Sequence, residues 1–162
     1  MTSKVAVPDR GLILVVAGLF AVLVASAVAI RALVADDAPG PEWVRVGTVQ
    51  DVTAQGVVSV PELHAYVVAD LPRTPFALSA RSPHLGEQIV YCRSSTWFQD
   101  RHGDTFDHLG NYAFGPSPRG MDRLATLVRD GVVWVDPSEI TLGPPRGSHQ
   151  VRPAGAICPG LN

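Results

Sequence analysis

The stretch QDRHGDTFD, residues 99–107, is the part of this sequence that best indicates its fold, together with SPHLGE at residues 82–87. Each stretch carries one histidine one or two residues before a glycine, His84 in the earlier stretch and His102 in the later one. A third stretch, GPSPR, follows at residues 115–119. Gly, Pro, Ser and Asp favour turns, because they tolerate or fix backbone dihedral angles that regular elements do not use. We therefore predict loops here, two of which present a histidine.

Short runs rich in Val, Tyr and Thr flank these loops, and Gly and Pro clusters separate the runs. Because such residues suit a pleated, half-buried surface, the runs predict β-strands. The predicted strands cover residues 43–50, 56–60, 63–69, 75–79 and 89–92. The pair Asp130-Gly131 within residues 124–136 predicts a hairpin with a tight primed turn, since Gly tolerates positive φ. Residues 93–123 are predicted to be a long irregular stretch, and loops of that length usually carry function.

The loop sequences resemble those of the Rieske family. In that family the first loop carries Cys-x-His-Leu-Gly, and the second carries Cys-x-x-His-Gly-x-x-Phe-Asp followed by Gly-Pro-x-Pro-Arg. The resemblance extends over about residues 44 to 136. It implies an all-β fold, a small Rieske-like antiparallel β sandwich with two ligand-type loops. An apolar N-terminal run, described below, predicts one transmembrane helix before this domain. The resemblance also implies a [2Fe–2S] cofactor and electron transfer in an oxidoreductase context.

The sequence departs from the family pattern at both cluster cysteines. In a Rieske cluster two histidines hold one iron and two cysteine thiolates hold the other. The resemblance places His84 and His102 at the histidine positions, and Ser82 and Gln99 at the cysteine positions. A serine hydroxyl does not ionise near neutral pH and a glutamine amide is neutral, whereas iron in sulfide clusters prefers thiolates. We therefore expect that a normal [2Fe–2S] cluster does not bind.

Two other roles for the histidines stay open. His84 and His102 could hold a single metal ion, with Asp100, Asp104 or Glu87 as a third ligand. Alternatively, the two histidines persist as loop-packing or hydrogen-bonding residues.

Two further pairs of residues could cross-link the domain. High-potential members of the family join their loops by a disulfide, and the matching positions here are Glu87 and Arg101, whose opposite charges suggest an ion pair in its place. The alternative is that both side chains simply face water. Cys92 and Cys158 form no CxxC motif, and an oxidising compartment would permit a disulfide that ties the tail to the domain. Two free cysteines are the alternative to that disulfide.

The N-terminal region predicts a membrane anchor. Residues 11–30 read GLILVVAGLFAVLVASAVAI without a charge, and twenty residues of helix span roughly 30 Å, the thickness of a bilayer's hydrocarbon core. Lys4 and Arg10 precede the run, so the positive-inside rule favours a cytoplasmic N-terminus. The alternative is a cleaved signal peptide, because Ala25-Ser26-Ala27 fits the small-residue cleavage pattern.

Both alternatives place the domain outside the cytoplasm, and the anchor predicts a single-pass protein of the cell membrane. The predicted division is a cytoplasmic N-terminus at 1–10, a transmembrane helix at 11–34, a linker at 35–43, the Rieske-like domain at 44–140 and an irregular Pro/Gly-rich tail at 141–162.

Composition limits the function. The net charge of −2 and the pI near 6.2 give no electrostatic support for nucleic-acid binding. No Gly-x-Ser-x-Gly, phosphate loop or HExxH motif occurs, so we expect no catalytic activity of its own and no small-molecule substrate is evident. The main hypothesis is a structural or interaction subunit of a membrane protein complex, with a respiratory complex as one candidate. The alternatives are a [2Fe–2S] electron-transfer protein and a histidine-based metal-binding domain.

Overall fold

The computed structural model describes residues 39–148 and Ser26. The chain divides into two compact units, Met1–Asp37 and Ala38–Asn162, and the fold below belongs to the second. The predicted transmembrane helix at 11–34 lies outside the described residues apart from Ser26, which is helical. Among the residues that the structure describes, no helix is long and apolar enough to cross a membrane.

Within residues 39–148 the strands form two antiparallel sheets. The strands are β1 Val44–Thr48, β2 Val57–Val60, β3 Ala65–Val68, β4 Phe76–Ser79, β5 Val90–Cys92, β6 Trp97–Gln99, β7 Thr105–Phe106, β8 Tyr112–Phe114, β9 Arg123–Arg129 and β10 Val132–Thr141. The larger sheet has the order β1-β10-β9-β4-β3-β2, and the smaller has the order β5-β6-β7-β8. A helix, α1 Val49–Gln55, connects β1 to β2, and a 3₁₀ turn, Pro61–Leu63, precedes β3. The prediction of a mostly antiparallel β domain is confirmed.

The larger sheet is buried on both faces, because alternate residues of a strand point to opposite sides. In β3, Tyr66 and Val68 join one apolar cluster, whereas Ala65 and Val67 join the other. The first cluster also contains Phe98 and Phe106 of the smaller sheet and the loop residues Ile89 and Met121. The second cluster includes Val52 of α1 and the strand residues Ala77, Leu124, Val133 and Val135. The smaller sheet therefore packs on one face of the larger one.

The predicted strand over residues 43–50 was wrong at its C-terminal end, where α1 begins. Thr48 and Asp51 form a capping box: the Thr48 hydroxyl accepts a bond from the Asp51 amide at 3.1 Å, and the Asp51 carboxylate accepts one from the Thr48 amide at 3.3 Å. This reciprocal pair satisfies amides that a helix start leaves unbonded. Val52 then gives the short helix a buried contact.

The predicted hairpin is confirmed. Val132 pairs with Arg129, and Asp130 and Gly131 both have positive φ, 51° and 75°, as a primed two-residue turn requires. The prediction that residues 93–123 are irregular was wrong in part, because β6, β7 and β8 lie there. These strands are two or three residues long, which is too short to produce a readable alternation.

Candidate functional site

The first loop leaves β4 and closes on itself before β5. The Ile89 amide donates to the Ala80 carbonyl at 2.7 Å, and the Ser82 amide donates to the Glu87 carbonyl at 2.8 Å. Gly86 has a φ of 73°, which an L side chain would resist. This closed turn places His84 and Leu85 at its tip, where Leu85 is 58% exposed.

The second loop leaves β6 and is organised by one buried carboxylate. Asp100 Oδ1 accepts bonds from the His102 amide at 2.9 Å and from the Asp104 amide at 3.0 Å. The Asp100 amide in turn donates to the Asp104 carbonyl at 3.0 Å. The loop therefore turns around Asp100 and directs Arg101 and His102 outward, where both are exposed.

A third segment, which we call the proline loop (residues 115–119), packs behind the second loop. The Ser117 amide donates a short bond to Asp104 Oδ1. Gly115 has a φ of 111°, and a Cβ atom there would lie 2.6 Å from both the Cα and the Oδ1 of Asp104. The close approach of the proline loop to Asp104 thus depends on a glycine at this position.

Asp104 also contacts the first loop. Its other oxygen, Oδ2, accepts a bond from the Ser82 hydroxyl at 3.4 Å and lies 3.5 Å from His84 Nδ1. The Asp104 side chain is fully buried, and burial is the main cause that raises the pKa of its carboxyl. The nearby Asp100 charge raises this pKa further, whereas the Ser117 amide and His84 act in the opposite direction.

The outer side of the two loops carries an ion pair. Arg101 Nη2 lies 2.7 Å from Glu87 Oε1, and His102 Nε2 lies 3.8 Å from the same oxygen. The hydrogen bond from Arg101 is the main cause that lowers the pKa of Glu87. The structure therefore brings together the two residues at the positions of the family's disulfide clasp.

The two histidines sit beside different carboxylates, His84 beside Asp104 and His102 beside Glu87. Within residues 39–148, no group of three or more His, Cys, Asp or Glu side chains lies close enough to hold a metal ion. A single-metal site at the histidines stays a prediction.

The residues at the cysteine positions are both buried. Ser82 bonds to Asp104, and Gln99 lies at the end of β6, paired with Val90 and Thr105 across the sheet. A hydroxyl and an amide cannot supply the two thiolates that the second iron of a [2Fe–2S] cluster needs. The donor set at these four positions therefore does not fit the cluster.

The sequence does not reveal how Asp104 and Ser117 act together. It marks Asp104 only as a candidate third ligand of a metal ion, and it does not single out Ser117. The spacing between Asp104 and Phe106 could have indicated that Asp104 is buried. Residues two apart in an extended segment lie on the same face, and Phe106 lies in the core.

Cys92 takes part in a disulfide. Cys158, the other cysteine of the sequence, lies outside the described residues, so the proposed pairing with Cys158 stays a prediction.

An antiparallel β domain that sets two histidine-bearing loops side by side, backed by a proline loop, is the arrangement that the resemblance to the class of Rieske-like domains implies. The loop sequences predicted this class, and the described structure agrees with it.

Two solved structures are similar to this chain. The chain is similar to the plasma-membrane Rieske protein PetC3 of the cyanobacterium Synechocystis PCC 6803, at 27% identity and a TM-score of 0.48 over 57% of this chain and 97% of that one. It is also similar to the QL mutant of NdmA from Pseudomonas putida CBB5 with caffeine, at 21% identity and a TM-score of 0.34 over 58% of this chain and 33% of that one. No protein-family model and no curated protein matches the sequence. Because both TM-scores lie below 0.5, the resemblance to the Rieske family rests on the loop sequences and their placement.

Proposed function

We propose that this chain is a membrane-anchored Rieske-like domain that carries no iron–sulfur cluster and acts as a structural or interaction subunit of a membrane protein complex. The observation that carries the proposal is the chemistry at the two cysteine positions. Ser82 and Gln99 provide no thiolate, and the Ser82 hydroxyl is already hydrogen-bonded to Asp104. Electron transfer through the domain would need a cluster that these residues are poorly suited to hold.

The surface at the loop tips supports an interaction role. Leu85 projects from the first loop with 58% of its surface exposed, beside the partly exposed His84. Arg101 and His102 project from the second loop. Protein interfaces have an apolar centre and a polar, solvent-accessible rim. The exposed Leu85 would suit such a centre, and the neighbouring histidine and arginine side chains would suit its rim. The uncharged run at residues 11–30 supports the membrane anchor.

The first experiment measures iron and acid-labile sulfide in the full chain, purified anaerobically in detergent and subjected to iron–sulfur reconstitution. A Rieske protein that carries its cluster is treated in parallel as the control. We expect no stoichiometric iron or sulfide and no electron paramagnetic resonance signal after reduction. Near-stoichiometric iron and sulfide would instead make the protein an electron carrier.

A second experiment tests the interaction role in native membranes solubilised with mild detergent. We expect the chain to migrate with a larger complex, and we expect Leu85→Glu to release it. Leu71→Glu is the matched control, because Leu71 is 68% exposed but lies in the turn between β3 and β4, at the other end of β4 from the first loop. Migration as a free chain in the unmodified protein would count against the proposal.

A further inference from the structure

We infer that the Asp104 carboxylate takes the place of the iron–sulfur cluster as the group that holds the two histidine-bearing loops together. The inference rests on the proposed absence of the cluster. It assigns a positioning role to a residue that does not correspond to any cluster ligand of the family pattern.

Asp104 contacts three separate segments of the chain. A Rieske cluster is bound by residues from two loops, so it cross-links them. Asp104 belongs to the second loop and contacts Ser82 and His84, about twenty residues earlier in the chain, and Ser117, 13 residues later. One carboxylate therefore links the first loop, the second loop and the proline loop.

Most other hydrogen bonds of the two loops lie within one loop. The Ser82 amide bonds to the Glu87 carbonyl inside the first loop, and Asp100 bonds to the backbone of the second. These bonds fix the shape of each loop but do not hold one loop to the other. The bonds that cross between the loops include those of Asp104, which is fully buried, and the pair of Glu87 with Arg101, whose side chain is 64% exposed. Water screens the exposed pair, whereas the bonds of Asp104 lie in the interior and are less screened.

The Asp104 carboxyl lies in the interior of the domain, where an ionisable group is costly to bury. A buried carboxyl is unfavourable unless hydrogen bonds compensate it, so its partners and its position depend on one another. The Ser117 amide provides that compensation at Oδ1 of Asp104, and the Ser82 hydroxyl provides it at Oδ2. Removing the carboxylate should therefore loosen the first loop, although the amino-acid sequence of the first loop is unchanged.

The test measures amide hydrogen exchange in the full chain with Asp104→Ala. We expect the amides of residues 82–87 to exchange about tenfold faster, which corresponds to the loss of one hydrogen-bonded link to a charged group. Asp107→Ala is the matched control. Asp107 is a buried aspartate three residues after Asp104, with 3% of its surface exposed, and its side-chain bonds to Leu109 and Asn111 stay within its own turn. The control should speed exchange at residues 107–111 and leave residues 82–87 unchanged.

A second variant keeps the test decisive if Asp104→Ala does not fold. Ser82→Ala removes one hydroxyl oxygen from the first loop. The quantity measured is amide hydrogen exchange in the second loop, at residues 100–104. We expect exchange there to rise about threefold, since Ser82 reaches this loop through the Asp104 carboxylate.

Iron and sulfide are measured on the same samples, so that two failures can be told apart. An iron-free protein whose loop exchange does not respond to Asp104→Ala or Ser82→Ala would overturn this inference alone. Stoichiometric iron and sulfide in the unmodified protein would overturn the proposed function, and with it the replacement by Asp104.

Discussion

Glu87 and Arg101 form a solvent-exposed contact between the two loops. Because their side chains meet at 2.7 Å, we predict that Glu87→Arg and Arg101→Glu each lower the melting temperature at low salt, and that the double exchange recovers part of the loss. Glu87→Arg also places a cation near His102, which is now 3.8 Å from Glu87 Oε1. Thermal unfolding of the four proteins at low and high salt measures the coupling. Additive effects at low salt would show that the pair does not stabilise the domain.

Single residues also explain why the loops keep their shape without long strands. Asp100 supports the turn of the second loop through two backbone amides, and Asp104 connects that turn to its neighbours. In these loops two carboxylates therefore accept hydrogen bonds that fix the backbone, whereas elsewhere in the domain the bonds between strands fix it.

At the scale of elements, the segment after β10 closes over the proline loop. Arg146 donates from Nε to the Ser117 carbonyl at 3.0 Å and from Nη2 to the Gly115 carbonyl at 2.9 Å. Its guanidinium also lies 4.5 Å from the centre of the Tyr112 ring. Residues 143–148, which we call the tail strap, therefore hold the loop that supports Asp104.

We predict that Arg146→Lys speeds amide exchange in the proline loop almost as much as Arg146→Gln does. A lysine keeps the charge but cannot reproduce the planar fork that reaches two carbonyls and stacks on a ring. Arg73→Gln serves as the control, because Arg73 pairs with Asp70 in an exposed turn. If Arg146→Lys behaves like the unmodified protein, charge rather than the fork holds the tail strap.

The short helix α1 gives a pH-dependent prediction. The hydrogen bond from the Thr48 side chain is the main cause that lowers the pKa of Asp51. A carboxyl whose pKa is lowered by folding stabilises the protein above its unfolded pKa, and this contribution is lost as the pH falls through the folded value.

We therefore predict that the stability difference between the unmodified protein and Asp51→Asn is constant near neutral pH. It should shrink as the pH falls below the ordinary carboxyl pKa of about 3.9, because a protonated Asp51 resembles asparagine. Urea unfolding of both proteins across this range measures the difference. A difference that persists unchanged at low pH would mean that the charge of Asp51 does not stabilise α1.

At the scale of the whole molecule, the uncharged run at residues 11–30 leads to a prediction about where the domain is located. We predict that the full chain stays in the membrane fraction after carbonate extraction, and that its domain is digested by protease added to the extracytoplasmic side. A chain that starts at residue 38, the first residue of the second compact unit, is the control and should be released. If expression of the full chain instead gives a released product whose N-terminus lies just after Ala27, the N-terminal region is a cleaved signal peptide.

Much of this protein is determined locally by its sequence. The β-rich runs correspond to strands, and Asp130-Gly131 forms the primed turn, because strand and turn preferences depend on neighbouring residues. The two histidine loops likewise follow from short motifs. The capping box at Thr48 is also local, and the sequence carries it even though a strand was predicted there.

Only the tertiary structure decided how the loops hold together. β6, β7 and β8 are too short to be recognised one by one and exist through pairing with each other. Asp104 contacts Ser82 and Ser117, which lie 22 residues before it and 13 residues after it, and these contacts form when remote segments pack together. A side chain's partners across loops are set by the packing of remote segments, and no local pattern of residues encodes that distance.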